Sequence, residues 1–288
     1  MTMTRQIYVN GDFVAEHEAK ISIMDRGFLF GDAIYEVTAM VDGHLIDNDL
    51  HLARFERSLG EIDIPLPMPL DAVRAVQVEL VARNGMTDGT IYMQVSRGAA
   101  ERNFHPEADM KPTFVAFTQP KKLYDTAQQR DGVAVMLTPD PRWRRRDIKT
   151  VMLLGQALAK EAAKANRFDD VWMFEDGCIT EGASSTAFIV TRQGAIVTRP
   201  NSQATLPGCT RRSVMALAQS RGIALEERPF TIAEAQGAAE AFLTSASSLV
   251  TPVVRIADTL IGDGKPGPAT RHLQDIYLAM ARTCEKIA

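Results

Sequence analysis

The chain has 288 residues, 45% of them hydrophobic and 24% charged, with a formal net charge of −4. That balance suits an ordinary globular protein with room for one large or two ordinary domains, and it argues against a nucleic-acid binder, which needs a basic face. Three scattered cysteines without CxxC spacing, no membrane-length apolar run and no apolar leader predict reduced thiols, a cytoplasmic location, no membrane contact and no metal site.

Taken in order, the chain opens with "QIYVNGDFVA" and "AIYEVTAMVDGHLI", where Asn10-Gly11 and Asp42-Gly43 sit between apolar runs and predict two hairpins. "DNDLHLARFERSLGEI" reads as a helix with Leu50, Leu52, Phe55 and Leu59 near one stripe, capped by Asp47 or Asn48. "LDAVRAVQVELVARNG" is a second helix, stopped at Asn84-Gly85, and "GTIYMQVSRG" and "PTFVAFTQP" read as strands. Residues 120–132 are polar and aperiodic. They read as an interdomain linker between an N-terminal domain, 1–119, and a C-terminal domain, 133–288.

Beyond it, "VAVMLTP" is a strand, 149–166 a helix, and "DVWMFEDGCITEG" and "TAFIVTRQGAIVTRP" two more hairpins. "TRRSVMALAQSRG" is a helix with Thr210 as its N-cap and Gly222 past its end. "EAFLTS" is a strand and "GPATRHLQDIYLAMARTCEKI" a closing helix. Strands and helices mix without strict alternation, and no repeat is present, so the fold class is α+β in two domains. Dinucleotide, P-loop, zinc-protease and nucleophile-elbow motifs are all absent, and five histidines are too dispersed for a metal cluster.

One stretch stands out. Arg142, Arg144, Arg145 and Arg146 precede Lys149 at the start of the helical pattern, with Asp147 as a plausible cap. Lys149 in the first turn would face the positive end of the helix dipole and four like charges. Both favour a neutral, nucleophilic amine. A solvated basic rim explains the same residues, and composition alone does not choose between the two.

"DIKTVMLLGQALAK" resembles the lysine segment of the fold-type IV pyridoxal-phosphate (PLP) aminotransferases, and "CITEGASSTAFIV", 32 residues on, resembles that family's second signature. "ISIMDRGFLFGDAIYEV", "HLARFERS", "LPGCTRRSV" and "FLTSASSLVTPV" match in kind and order, from Ile7 to about Gly264, nearest to the D-amino-acid aminotransferases. The resemblance implies that Lys149 carries PLP as a Schiff base and shuttles the proton, and that Glu181 pairs with the pyridine nitrogen. It implies that Arg54, the Gly208–Thr210 helix start, Cys209, and the Ser245–Ala246 loop hold the phosphate. Leu206 packs on the ring, Ser184 lies beside Lys149, and Tyr35 and Tyr92 line the reacting side. Singly, each has a plainer reading: Glu181 a surface carboxylate, Arg54 a helix charge, Leu206 and Cys209 core, Ser184 a turn, Tyr35 a strand aromatic.

The match frays at substrate recognition. The D-amino-acid enzymes trap the α-carboxylate with Arg-x-His; here Arg102 is followed by Asn103 and Phe104, with His105 displaced by one. The trap is then Arg102 alone, or Arg102 completed by His105 or by an arginine of 142–146. The expected activity is transamination between a D-amino acid and a 2-oxo acid, in a homodimer. Alternatives on the same fold are an (R)-selective amine or branched-chain aminotransferase and an aminodeoxychorismate-type lyase, and outside it a binding protein without chemistry.

Overall fold

The computed structural model describes residues 4–288. The chain forms two compact units. The first runs up to Lys122 and adds Ile148–Met152 and Ala281–Ala288; the second comprises Leu123–Asp147 and Leu153–Met280.

In chain order the elements are β1 (Gln6–Val9), β2 (Asp12–Ala15), α1 (Arg26–Phe30), β3 (Ala33–Val41), β4 (His44–Ile46), α2 (Asn48–Gly60), α3 (Leu70–Asn84), β5 (Gly89–Ser96) and β6 (Thr113–Pro120). Then come α4 (Ala127–Asp131), β7 (Val133–Pro139), α5 (Leu154–Ala165), β8 (Asp170–Glu175), β9 (Cys178–Gly182), β10 (Thr186–Val190) and β11 (Ile196–Thr198). The chain closes with α6 (Cys209–Ser220), β12 (Leu225–Glu227), α7 (Ile232–Gln236), β13 (Glu240–Ser245), β14 (Leu249–Ile256), β15 (Thr259–Leu260), α8 (Pro268–Ala281) and β16 (Glu285–Lys286).

The first unit is built on a seven-stranded antiparallel sheet in the order β16-β4-β3-β5-β6-β1-β2. Two of its hairpins turn on Asn10 and Asp42, whose φ of 50° suits short polar side chains. One sheet face carries Ile34, Met40, Ile91, Met93, Val95 and Phe114, packed with Leu52, Phe55 and Leu59 of α2 and Val73, Leu80 and Val81 of α3. Each such Leu or Phe contributes roughly 1.5–3 kcal/mol by leaving water. Strand alternation sends Tyr35, Tyr92 and Phe117 to the other face, where their rings form a stacked row.

The second unit holds a nine-stranded mixed sheet in the order β12-β11-β10-β13-β14-β7-β8-β9, with β15 beside β14. The β11–β12, β14–β7 and β7–β8 pairs are parallel. Trp172, Ile179, Ile189, Phe230, Leu243 and Val253 lie in one core, while Ala159 and Ala163 seat α5 on Val171 and Met173.

Three local expectations need correction. The helix read over 149–166 begins at Leu154, so Lys149 precedes it and does not lie in its first turn. The cap of α6 is Gly208, and Thr210 lies inside the first turn. The polar stretch 120–132 contains α4, closed by a capping box between Thr126 and Gln129. Among the described residues no helix is long and apolar enough to cross a membrane.

Candidate active site

Lys149 is placed by backbone pairing. Its carbonyl accepts from the Tyr35 amide at 2.9 Å, and the Val151 amide donates to Ala33 at 3.1 Å, so Ile148–Val151 runs against the start of β3. Met152 then packs into the space left by Gly31, whose φ of 69° and missing side chain leave room for it. This fixes the Lys149 Nζ 4.1 Å from the centre of the Tyr35 ring, half-buried and with no carboxylate partner among the described residues. Tyr35 stacks on Tyr92 with centroids 5.5 Å apart, and the Tyr92 hydroxyl donates to Gln94 at 2.8 Å. Burial, with the neighbouring Tyr35, pushes the Tyr92 phenol well above its ordinary range, so it stays protonated.

Arg54 lies on the core side of the same sheet. Its Nε and Nη2 donate to the two oxygens of Glu36 at 2.8 and 2.6 Å, and His51 Nδ1 lies 2.9 Å from Glu36 Oε1. Burial pushes the Glu36 carboxyl up, but Arg54 and His51 outweigh it and hold it far below the ordinary range. The bidentate edge of Arg54 is therefore committed to Glu36.

Arg102 sits in an exposed loop. Its guanidinium lies over the rings of Phe30 and Phe104, 5.3 and 5.9 Å from their centres, and pairs with no carboxylate among the described residues. His105 is exposed, with its backbone amide on Asn103 Oδ1.

In the second unit Glu181 ends β9 with only 3% of its surface exposed. Arg142 Nη1 donates to Glu181 Oε1 at 2.6 Å, and the Leu206 amide lies 3.2 Å from both carboxylate oxygens. Burial raises the Glu181 carboxyl above its ordinary range against the pull of Arg142 and the amide. Arg142 is itself held bidentate by Asp140, which also accepts from Thr180 Oγ1 at 2.7 Å. Arg146 pairs with Glu175 and Arg145 with Asp147. Three of the four crowded arginines are thus committed to carboxylates of their own unit.

Sequence reasoning passed over Arg142 as the partner of Glu181 and Asp140 as the acid that holds Arg142. The signal was there: an acid and a base two apart in extended chain share a face. It also passed over Glu36, although "AIYEVTAMV" places that charge on the apolar side of β3.

Leu206 begins the run to α6, and no cap side chain closes that helix's first turn. The Cys209 and Thr210 amides are free of protein acceptors among the described residues, an arrangement that binds anions. A side chain at Gly208 would meet Thr186 Oγ1 at 2.9 Å and Arg211 Cβ at 3.2 Å. Ser245 Oγ lies 2.7 Å from Ser248 Oγ and 3.3 Å from Ser247 Oγ, in a turn that includes Ala246. Ser184 is exposed in the turn after β9.

The family described as Amino-transferase class IV matches residues 33–256. The D-alanine aminotransferase of Staphylococcus haemolyticus is 38% identical over 273 residues, 94% of this chain and 95% of that protein. The branched-chain amino acid aminotransferase of Escherichia coli superposes with a TM-score of 0.91 at 22% identity, covering 98% of this chain and 97% of that one. The branched-chain amino acid aminotransferase of the thermophilic archaeon Thermoproteus uzoniensis, solved with norvaline, gives 0.86 at 23%, covering 99% and 97%. At that identity the two structures speak for the fold, which is α+β, while the sequence match speaks for the family. The chain belongs to the class IV amino-transferases.

Proposed function

We propose that this PLP-dependent aminotransferase moves an amino group between a D-amino acid and a 2-oxo acid, with D-alanine and 2-oxoglutarate as the pair to test. The observation that carries the reading is Lys149, an amine fixed over Tyr35 by backbone bonds and left without a carboxylate partner among the described residues. The 38% identity to a D-alanine aminotransferase supports the choice of D-amino acids.

The residues present fit the cofactor. Bound PLP supplies an aldehyde that takes up an amine covalently and a ring that accepts the electron pair left at the substrate α-carbon. Lys149 is the residue to hold it and to move the proton at that carbon. Glu181, kept in place by Arg142 and the Leu206 amide, is the carboxyl group for the ring nitrogen. The Cys209 and Thr210 amides and the Thr210 hydroxyl would receive the phosphate, Ser245, Ala246 and Arg54 are assigned to the same group, and Leu206 would pack on the ring. Tyr35, Tyr92 and Ser184 border the reacting side. Arg102, seated on aromatic faces, receives the substrate carboxylate; His105 stands beside it in the loop.

The assembly is a homodimer, a reading supported by exposed apolar side chains at Ile23, Phe28 and Phe104. The same reading places the protein in the cytoplasm. Purified protein given D-alanine and 2-oxoglutarate is expected to release pyruvate over many turnovers only when both are present, D-alanine alone giving at most one equivalent per site. Catalytic release of pyruvate from aminodeoxychorismate with no 2-oxo acid present would mark a lyase, and turnover of L-leucine with none of D-alanine would mark a branched-chain enzyme.

A further inference from the structure

We propose that Arg26 is a positioning residue for Arg102, fixing from within the fold the loop that presents the substrate-binding guanidinium. This rests on the reading of Arg102 given above. Arg26 is 6% exposed, yet its fork points at neutral backbone and not only at an acid. Nη1 donates to the Asn103 carbonyl at 2.5 Å and Nη2 to the Phe104 carbonyl at 3.2 Å, the two residues that follow Arg102. Its Nε is held by Asp32 Oδ2 at 2.8 Å.

The far end of this chain of contacts is rooted in the unit. Asp32 also accepts from Arg97, through Nε at 2.8 Å and Nη2 at 3.1 Å, and Arg97 reaches the carbonyls of Asp63 and Ile62. The Arg26 backbone is fixed as well, its amide donating to Gly98 at 2.9 Å. Arg26 also packs against Phe30, 4.6 Å from the ring centre, and Phe30 is one of the two rings under Arg102. Phe30 and Phe104 lie 5.6 Å apart, so a single guanidinium steadies both the ring and the backbone that carry Arg102.

Residues 101–109 are exposed throughout. Left to itself, such a loop loses conformational freedom whenever its arginine binds a ligand, and fixing it beforehand lowers that cost. Two adjacent carbonyls need two donors in one plane, which arginine supplies and lysine does not.

The test uses the holoenzyme with D-alanine and 2-oxoglutarate. Arg26→Lys keeps the charge beside Asp32 but loses the fork. It is expected to raise KM for both substrates roughly tenfold, with kcat within about twofold of wild type and bound cofactor unchanged. In an Arg102→Ala background the same change is expected to have no further effect on KM. Arg26→Gln carries the same expectation if the lysine variant folds poorly. An unchanged KM in Arg26→Lys while Arg102→Ala raises it overturns the positioning role alone, as does full additivity in the double variant. An unchanged KM in Arg102→Ala overturns the assignment of Arg102 itself, and this inference with it.

Discussion

Arg142 grips Glu181 at 2.6 Å while its remaining donors are clamped by Asp140 at 2.9 and 2.7 Å. The cation facing Glu181 is therefore pinned, and it opposes, without cancelling, the upward pull of burial on that carboxyl. A pinned cation beside a buried carboxyl suits the role proposed for Glu181 toward the ring nitrogen.

Removing that cation has a pH signature. Burial already raises the Glu181 carboxyl above its ordinary 4.5, so the folded protein holds a proton that the unfolded chain releases. Stability then falls as pH rises through the interval between the two values. Arg142→Met removes the opposing charge and stretches that interval upward. The variant is expected to lose about 3–5 kcal/mol at neutral pH and less at about pH 5. Thermal melts at both pH values check this; an equal gap at each would contradict it.

Glu36→Gln tests the opposite shift. Glu36 is held far below its ordinary 4.5, so its contribution is present above that value and fades as pH falls beneath it. The amide leaves Arg54 and His51 buried without their anion, at a cost of about 3–5 kcal/mol at neutral pH. Denaturant unfolding should show the gap to wild type closing in acid. A variant within about 1 kcal/mol of wild type at neutral pH would remove Glu36 from the account.

The sequence carried some of this plainly and some not at all. Hairpins at Asn10-Gly11, Asp42-Gly43 and Asp176-Gly177 were readable because the turn itself demands positive φ, found at 50°, 50° and 51°. Helix α2 was readable because Leu52, Phe55 and Leu59 repeat at its period and all are buried. The start of α5 was not. Val151 and Met152 continue the helical pattern, but pairing with Ala33 and Tyr35 holds 148–151 extended, so tertiary hydrogen bonds override the local period. Pairing of β16 with β4 and the Arg26 contacts to Asn103 and Phe104 were equally hidden, since they join residues some 240 and 77 positions apart with no local mark. The proposed site residues could be named from the sequence only through the ordered family segments, while the contacts of Arg142 with Glu181 and of Arg26 with Asn103 emerged from geometry.

Gly208→Ala is expected to weaken binding of the cofactor through its phosphate. The added carbon meets Thr186 Oγ1 at 2.9 Å and Arg211 Cβ at 3.2 Å, so the start of α6 has to shift with the Cys209 and Thr210 amides. A tenfold loss of PLP affinity, about 1.4 kcal/mol, is the expected scale. Titration of apoprotein with PLP and with pyridoxal, which lacks the phosphate, separates the cause. If both lose affinity equally, the helix start does not serve the phosphate.

Lys149→Ala separates chemistry from fold. The hydrogen bonds that hold 148–151 against β3 are backbone bonds, Ile148 adds core packing, and the Lys149 side chain itself touches Tyr35 only through the ring face. Alanine keeps those bonds, so the melting temperature should stay close to wild type, a change within about 0.5 kcal/mol. Turnover should fall by at least about 10³, on the scale of losing a positioned proton carrier, with the covalent tether lost besides. Borohydride treatment should leave PLP mass on the wild-type peptide bearing Lys149 and on no peptide of the variant. Label on a different lysine of the wild-type protein would move the chemistry elsewhere, because the backbone pairing that fixes Lys149 over Tyr35 would then be serving structure alone.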